Sequence, residues 1–68
     1  MKQSDKIIMY LDRFGSITAL DALRDLSVMR LAARIGELKE QGYNIKSTLE
    51  SDVNRFGDKI KYSRYEWA

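Results

Sequence analysis

The 68 residues include no cysteine and no histidine. The first absence excludes disulfide staples, and the two together remove the commonest zinc ligands and the usual nucleophile and base of small catalytic sites. No apolar run approaches the roughly 20 residues needed to cross a bilayer, and the opening stretch MKQSDKII lacks the long apolar segment of a signal peptide. A glycine loop able to cradle phosphate is missing as well. Asp12, Asp21, Asp25, Glu37 and Glu40 fall at ordinary solubilising spacing on outward helix faces. A strong charge of one sign is also lacking, because 12 Lys plus Arg against 10 Asp plus Glu leave +2. These absences point away from an enzyme, a metal or organic cofactor and a membrane protein, and toward a soluble cytoplasmic binding domain.

A chain of this length holds one domain, residues 1–68, whose core supplies about 3–5 kcal/mol. The arrangement of what is present then sets the architecture. Ser4 and Asp5 stand where a helix N-cap and its first-turn acid belong, and Ile7, Ile8 and Leu11 recur at helical spacing until Phe14-Gly15. This predicts a first helix over about 5–13. Ser16-Ile17 reads as a short extended connector. Thr18, with Asp21 three residues on, resembles a capping box, and Ala19, Ala22, Leu23 and Leu26 make a narrow apolar stripe over a second helix, about 19–25. Leu26-Ser27-Val28 is the turn. Ser27 then serves as N-cap for a third helix over about 28–41, stopped by Gly42. Val28, Leu31, Ala32, Ile35 and Leu38 share its core face. Its opposite face carries Met29, Arg30, Ala33 and Glu37, with Arg34 on the flank. Gly36, costing about 1 kcal/mol inside a helix, marks a place where another backbone comes close.

After Gly42 the period changes to two. Ile45, Ser47 and Leu49 alternate with Lys46, Thr48 and Glu50, a half-buried strand over about 44–50. Turn residues without proline fill 51–58, and a second strand follows over about 59–67. Ile60 and Tyr62 share one face of it, while Tyr65 and Trp67 fall out of phase, which predicts a bulge near Arg64. A two-stranded hairpin must rest on other elements to be stable, so Tyr43, Tyr62, Tyr65 and Trp67 are assigned to an underside packed on the first and third helices. Phe56 is left at an exposed tip. The resulting fold class is α+β: a three-helix, helix-turn-helix core with a C-terminal two-stranded β-hairpin wing. Positive charge gathers in two places, at Arg30, Arg34 and Lys39 in the third helix and at Arg55, Lys59, Lys61 and Arg64 in the tail, a distribution that suits phosphate.

The string R-L-A-A-R-I at Arg30–Ile35, E-L-K at Glu37–Lys39 and G-Y-N-I at Gly42–Ile45, with G-S-I-T at Gly15–Thr18 and the closing Arg64-Tyr65, resembles the small winged helix-turn-helix proteins common in bacteriophages and prophages. Gly36 departs from that pattern, in which a bulkier residue is usual, and in such domains a segment like Ser16-Ile17 is often the first, very short strand. The resemblance implies double-stranded DNA as partner, with the third helix in the major groove and the wing on the backbone. The positions that would touch DNA are Ser27, Met29, Arg30, Ala33, Arg34 and Glu37 on the helix, and Asn54, Arg55, Lys59 and Lys61 on the wing. Arg30 can fork to guanine O6 and N7, Ala33 can meet a thymine methyl, and Arg34 suits a phosphate. The plainer account makes Arg30 and Arg34 exposed arginines, one of them paired with Glu37 at helical spacing, and the lysines guards of an exposed strand edge.

The expectation is a nucleoid-associated regulator of transcription or an excisionase-like recombination factor, working as a homodimer or a cooperative array because one weakly charged copy binds poorly. Its rival is a winged-helix adaptor that binds a host protein and no DNA. Near-neutral charge, Glu37 and Glu40 on the outer helix face, and exposed Met29 and Phe56 favour that rival.

Overall fold

The computed structural model describes residues 1–68. Its elements in chain order are α1 (Gln3–Phe14), β1 (Ser16–Thr18), α2 (Ala19–Asp21, continued by a π-helical turn, Ala22–Leu26), α3 (Leu31–Glu40), β2 (Ile45–Val53) and β3 (Lys59–Trp67). The core gathers Ile7 and Leu11 from α1, Ile17 from β1, Ala22 from α2, Leu31, Ile35 and Leu38 from α3, and Ile45 from β2, with Val28 added from the turn.

Helix α1 begins two residues earlier than its sequence signals indicate. Lys2 takes the cap position without a side-chain bond, and Ser4 lies inside the first turn because Lys6 N–H already donates to the Lys2 carbonyl. The stop is as expected: Gly15 takes φ 86°, left-handed, and its N–H returns to the Leu11 carbonyl at 2.9 Å. At the start of α2 the capping box forms. Thr18 Oγ1 accepts from Asp21 N–H at 3.2 Å, and Asp21 Oδ2 accepts from Thr18 N–H at 3.0 Å. That reciprocal pair satisfies Thr18, which is otherwise buried.

The turn corrects the sequence reading most. Ser27 caps the end of α2 instead of the start of α3: it sits at φ 58° and donates its N–H to the Leu23 carbonyl at 3.2 Å. Val28 N–H reaches back to the Ala22 carbonyl at 3.0 Å, and its side chain plugs the core. Periodicity counted Val28 as a helical core position because it is buried, but it is buried as part of the turn. Helix α3 therefore starts at Leu31 with Arg30 as its N-cap, so Met29 and Arg30 stand ahead of the helix. Leu31, Ile35 and Leu38 form the inward stripe, whereas Ala32, assigned to that stripe by sequence, is exposed. Gly42, at φ 101°, ends the connection.

The sheet has three strands in the order β1-β3-β2, all antiparallel, where the sequence promised two. The extended connector after α1 pairs with the end of β3, Ile17 opposite Tyr65. Pairing of β2 with β3 runs unbroken from Ile45↔Trp67 to Val53↔Lys59, so the expected bulge is absent. The apparent phase change has another cause. Near the helices, Ile17, Ile45, Tyr65 and Trp67 share the face that meets the core. Farther out the hairpin has no core to cover, and Ile60 and Tyr62 occupy the opposite face. Consequently only Ile45 of β2 is buried, and Ser47 and Leu49 are exposed.

Of the four aromatics assigned to the underside, Tyr65 and Trp67 pack on the core. Tyr43 lies beside Trp67 with ring centroids 6.1 Å apart, and Tyr62 is on the other face. Trp67 Nε1 donates to Asp12 Oδ1 at 2.9 Å, tying the last strand to α1. The molecule is elongated, 38 × 22 × 20 Å, with a loop of residues 54–58 at the tip of the projecting hairpin.

Candidate nucleic-acid interface

Two outward regions carry the charged residues singled out by sequence. The first is the turn and the leading end of α3. Ser27, Met29, Arg30 and Arg34 converge with Gln3 around an open cleft of about 280 Å³. Met29 is 82% exposed at its mouth. Arg30, as N-cap, makes no side-chain hydrogen bond to the helix, so the first backbone N–H groups of α3 have no side-chain acceptor and the positive end of the helix dipole adds to both guanidinium groups. Arg34 pairs with Glu37 through Nη2 and Oε1 at 3.2 Å. Its Nε is buried and makes no hydrogen bond within the chain.

Gln3 is the functional candidate that sequence reasoning missed. Nothing local marks it, since it reaches the cleft only because the first turn of α1 stands beside the turn after α2.

Along the outer side of α3, Ala32 and Gly36 are exposed, Ala33 is half-buried, and Glu37 is exposed farther on. Beyond its neighbours and the backbone of its own helix, no chain atom lies within 4 Å of a β-carbon built on Gly36, so no other segment of the chain makes the close approach that its glycine suggested. Gly36→Ala is therefore expected to stabilise the domain by about 0.5–1 kcal/mol, read as a higher urea midpoint at unchanged slope. A loss of stability would mean the space is not open.

The second region is the outer hairpin. Asn54 organises its tip: Oδ1 accepts from Phe56 N–H at 2.9 Å and Asp58 N–H at 3.0 Å. That commits the carboxamide oxygen to the loop and leaves the amide NH₂ as the outward donor. Arg55 is exposed at the tip, and Phe56 beside it is 87% exposed. Lys59 and Lys61 lie on the helix-bearing face of the sheet, beyond the helices, and join none of the ion pairs. Arg64, counted by sequence with these cations, is not available. Its Nε donates to both Glu50 oxygens at 3.0 Å and its Nη1 to Ser16 Oγ at 3.0 Å, and the Glu50 carboxylate raises the guanidinium pKa further. Arg34 is already paired with Glu37, so the cations of the two regions outside any ion pair are Arg30, Arg55, Lys59 and Lys61.

Three acids read as solubilising prove structural. Asp12 holds Trp67, Asp21 belongs to the capping box, and Asp25 accepts from the Tyr10 hydroxyl at 2.7 Å and from Arg24 Nε at 3.1 Å. Arg24, and then the Tyr10 hydroxyl, hold the Asp25 carboxyl below the usual carboxylate range. The bond to Asp25, followed by burial, raises the Tyr10 hydroxyl above its ordinary value. The depressed carboxyl gives stability that is present above its unfolded pKa and lost as pH falls through the folded one. The raised phenol gives stability that is present below its unfolded pKa and lost as pH rises through the folded one. No histidine titrates between them. The urea midpoint is expected to stay flat from roughly pH 5 to pH 9 and to fall on both sides. Asp25→Asn should flatten the acid limb, and a step near neutrality would contradict this account.

Three helices, a short strand and a projecting hairpin, with the second helix-turn-helix segment turned outward, define a winged helix-turn-helix, a DNA-binding fold. A family model described as a winged helix-turn-helix domain matches residues 2–66, and the chain belongs to that family. The curated proteins and the solved structures give no match to it. No helix is long and apolar enough to cross a membrane.

Proposed function

We propose that the chain binds double-stranded DNA, with the turn and leading end of α3 in the major groove and the hairpin along the backbone. One observation carries this reading: Met29, Arg30, Ala32, Gly36 and Glu37 are exposed along the outward side of the turn and α3, with two guanidinium groups beside an uncapped helix start. Arg30, ahead of the helix, reaches base edges, with Met29 and Ala33 making apolar contacts. Arg34, with Gln3 and Ser27, holds a phosphate. Arg55, Lys59, Lys61 and the Asn54 amide follow the adjacent backbone, and Glu37 faces the groove wall.

Four unpaired cations, with Arg34 shared with Glu37, are few, so a single copy binds weakly and two copies, or an array, act together on DNA. Following the resemblance noted in sequence, the proposal extends to a phage or prophage protein associated with the nucleoid, acting as a transcriptional regulator or an excisionase-like factor. Titration of a random duplex at increasing salt tests the reading. The expected slope of log K against log salt is roughly −3 to −5, since each neutralised phosphate contributes about −0.9.

The exposure of Phe56 and Met29 supports a second reading, an adaptor that grips a host protein through the same surfaces. It predicts no duplex binding even at low salt.

A further inference from the structure

Away from the cleft, α1 and the end of α2 enclose a separate groove of about 190 Å³. Met9, Tyr10, Phe14 and Leu26 supply its apolar surface, and Lys6 and Arg13 lie along it. This is not an ordinary solvated helix face, because Met9 is 56% and Phe14 62% exposed while the neighbouring Ile7 and Leu11 already fill the core. The groove is also preformed. The Tyr10 and Phe14 rings meet at 4.5 Å between centroids, and the hydrogen bond from Tyr10 to Asp25 pins the Tyr10 side. The Arg13 guanidinium lies 5.6 Å from the centre of the Phe14 ring. Neither Lys6 nor Arg13 joins an ion pair, whereas the acids on the α2 side, Asp21 and Asp25, are already held by Arg24.

We infer that this groove docks an acidic amphipathic helix of a protein partner. Charge complementarity selects the occupant: two unpaired cations, seven residues apart and so on one side of α1, ask for carboxylates flanking an apolar anchor. The size agrees, being below the roughly 300–1,000 Å³ of small-molecule pockets and suited to a large side chain or two inserted from a helix. Methionine at the rim lets the surface adapt to the anchor. The lining shares no residue with the cleft of Gln3, Ser27, Met29, Arg30 and Arg34, so a docked partner and a duplex can be held at once. The domain then becomes a bridge from DNA to a second protein.

The chain's three methionines make the test direct. With methyl-labelled methionine in the full chain, Met1 and Met9 report on the groove and Met29 on the cleft. The probe is a synthetic helical peptide carrying leucine and phenylalanine at i, i+3 and i+7, flanked by glutamates, with a lysine-flanked twin as control. The glutamate peptide is expected to shift Met9 and leave Met29 unmoved, the lysine peptide to do neither, and Lys6→Glu plus Arg13→Glu to reverse that preference. Equal response to both peptides would reduce the groove to unspecific stickiness and overturn the proposal. So would silence at Met9, or a Met9 shift that appears on raising protein concentration alone, which would assign the groove to a second copy. Titration with duplex DNA is the separate arm. It is expected to move Met29, and its failure would sink the DNA reading while leaving the groove result standing.

Discussion

Leu38→Ala is expected to leave roughly a third of the molecules unfolded at 25 °C. Leu38 is fully buried, the last member of the inward stripe of α3, among the nine core side chains. Removing it forfeits the transfer free energy of the deleted atoms and leaves a cavity, together about 3–4 kcal/mol. A 68-residue chain without disulfides or a metal site has a net stability of only about 3–5 kcal/mol, so one substitution consumes nearly all of it. Circular dichroism should show reduced helix signal and a broad urea transition beginning without a folded plateau. Leu20→Ala is the control. Leu20 belongs to α2 but is 66% exposed, and its loss should change the midpoint by less than about 0.5 kcal/mol. Equal behaviour of the two variants would mean that the core is not centred on α3.

The second large effect concerns the two charged regions. Arg30→Ala is expected to cut affinity for a selected duplex about tenfold or more, equivalent to 1–3 kcal/mol, while leaving affinity for random duplex within about threefold. Lys59→Ala combined with Lys61→Ala should instead weaken selected and random duplexes alike and lower the salt slope by about 2. The difference follows from position. Arg30 stands at the entrance of α3, ahead of its first turn, where a side chain can reach a base edge. The lysines alternate along β3 beyond the helices, where a strand can follow phosphates. Both substitutions are at surface sites and should leave the urea midpoint nearly unchanged. Identical losses on both duplexes for both variants would refute the division of labour.

Much of the fold was legible because local chemistry and tertiary need agree at particular residues. Ile7 and Leu11 mark the inward side of α1, Gly15 supplies the left-handed stop, and Thr18 with Asp21 forms the cap that its spacing promises. The bounds of β3 were read correctly, whereas the start of α3 was not. Val28 is apolar, buried and placed at a helical interval from Leu31, so periodicity cannot distinguish it from a helix position. Its backbone bond to Ala22, back in the helix that precedes the turn, decides the matter. The third strand was suggested by the resemblance alone, since Ser16–Thr18 is too short to announce itself and becomes a strand only where β3 offers an edge.

The site divides along the same line. Arg30, Arg34 and the wing lysines are visible as clustered charge. The withdrawal of Arg64 into an ion pair with Glu50 and the arrival of Gln3 at the cleft are products of packing, and a one-dimensional pattern does not carry them.

The central claim is that the outward turn at Met29 is the part of the molecule that enters a duplex. Because the chain has no cysteine, Met29→Cys provides a single attachment point for an iron–EDTA cleavage reagent at a fully accessible position. On a duplex selected from a random pool, the tethered reagent is expected to cut a few adjacent base pairs in one register from the major-groove side. The same reagent at Glu66→Cys, on the far end of β3, should cut weakly or not at all. Diffuse cutting indistinguishable between the two positions would contradict the account.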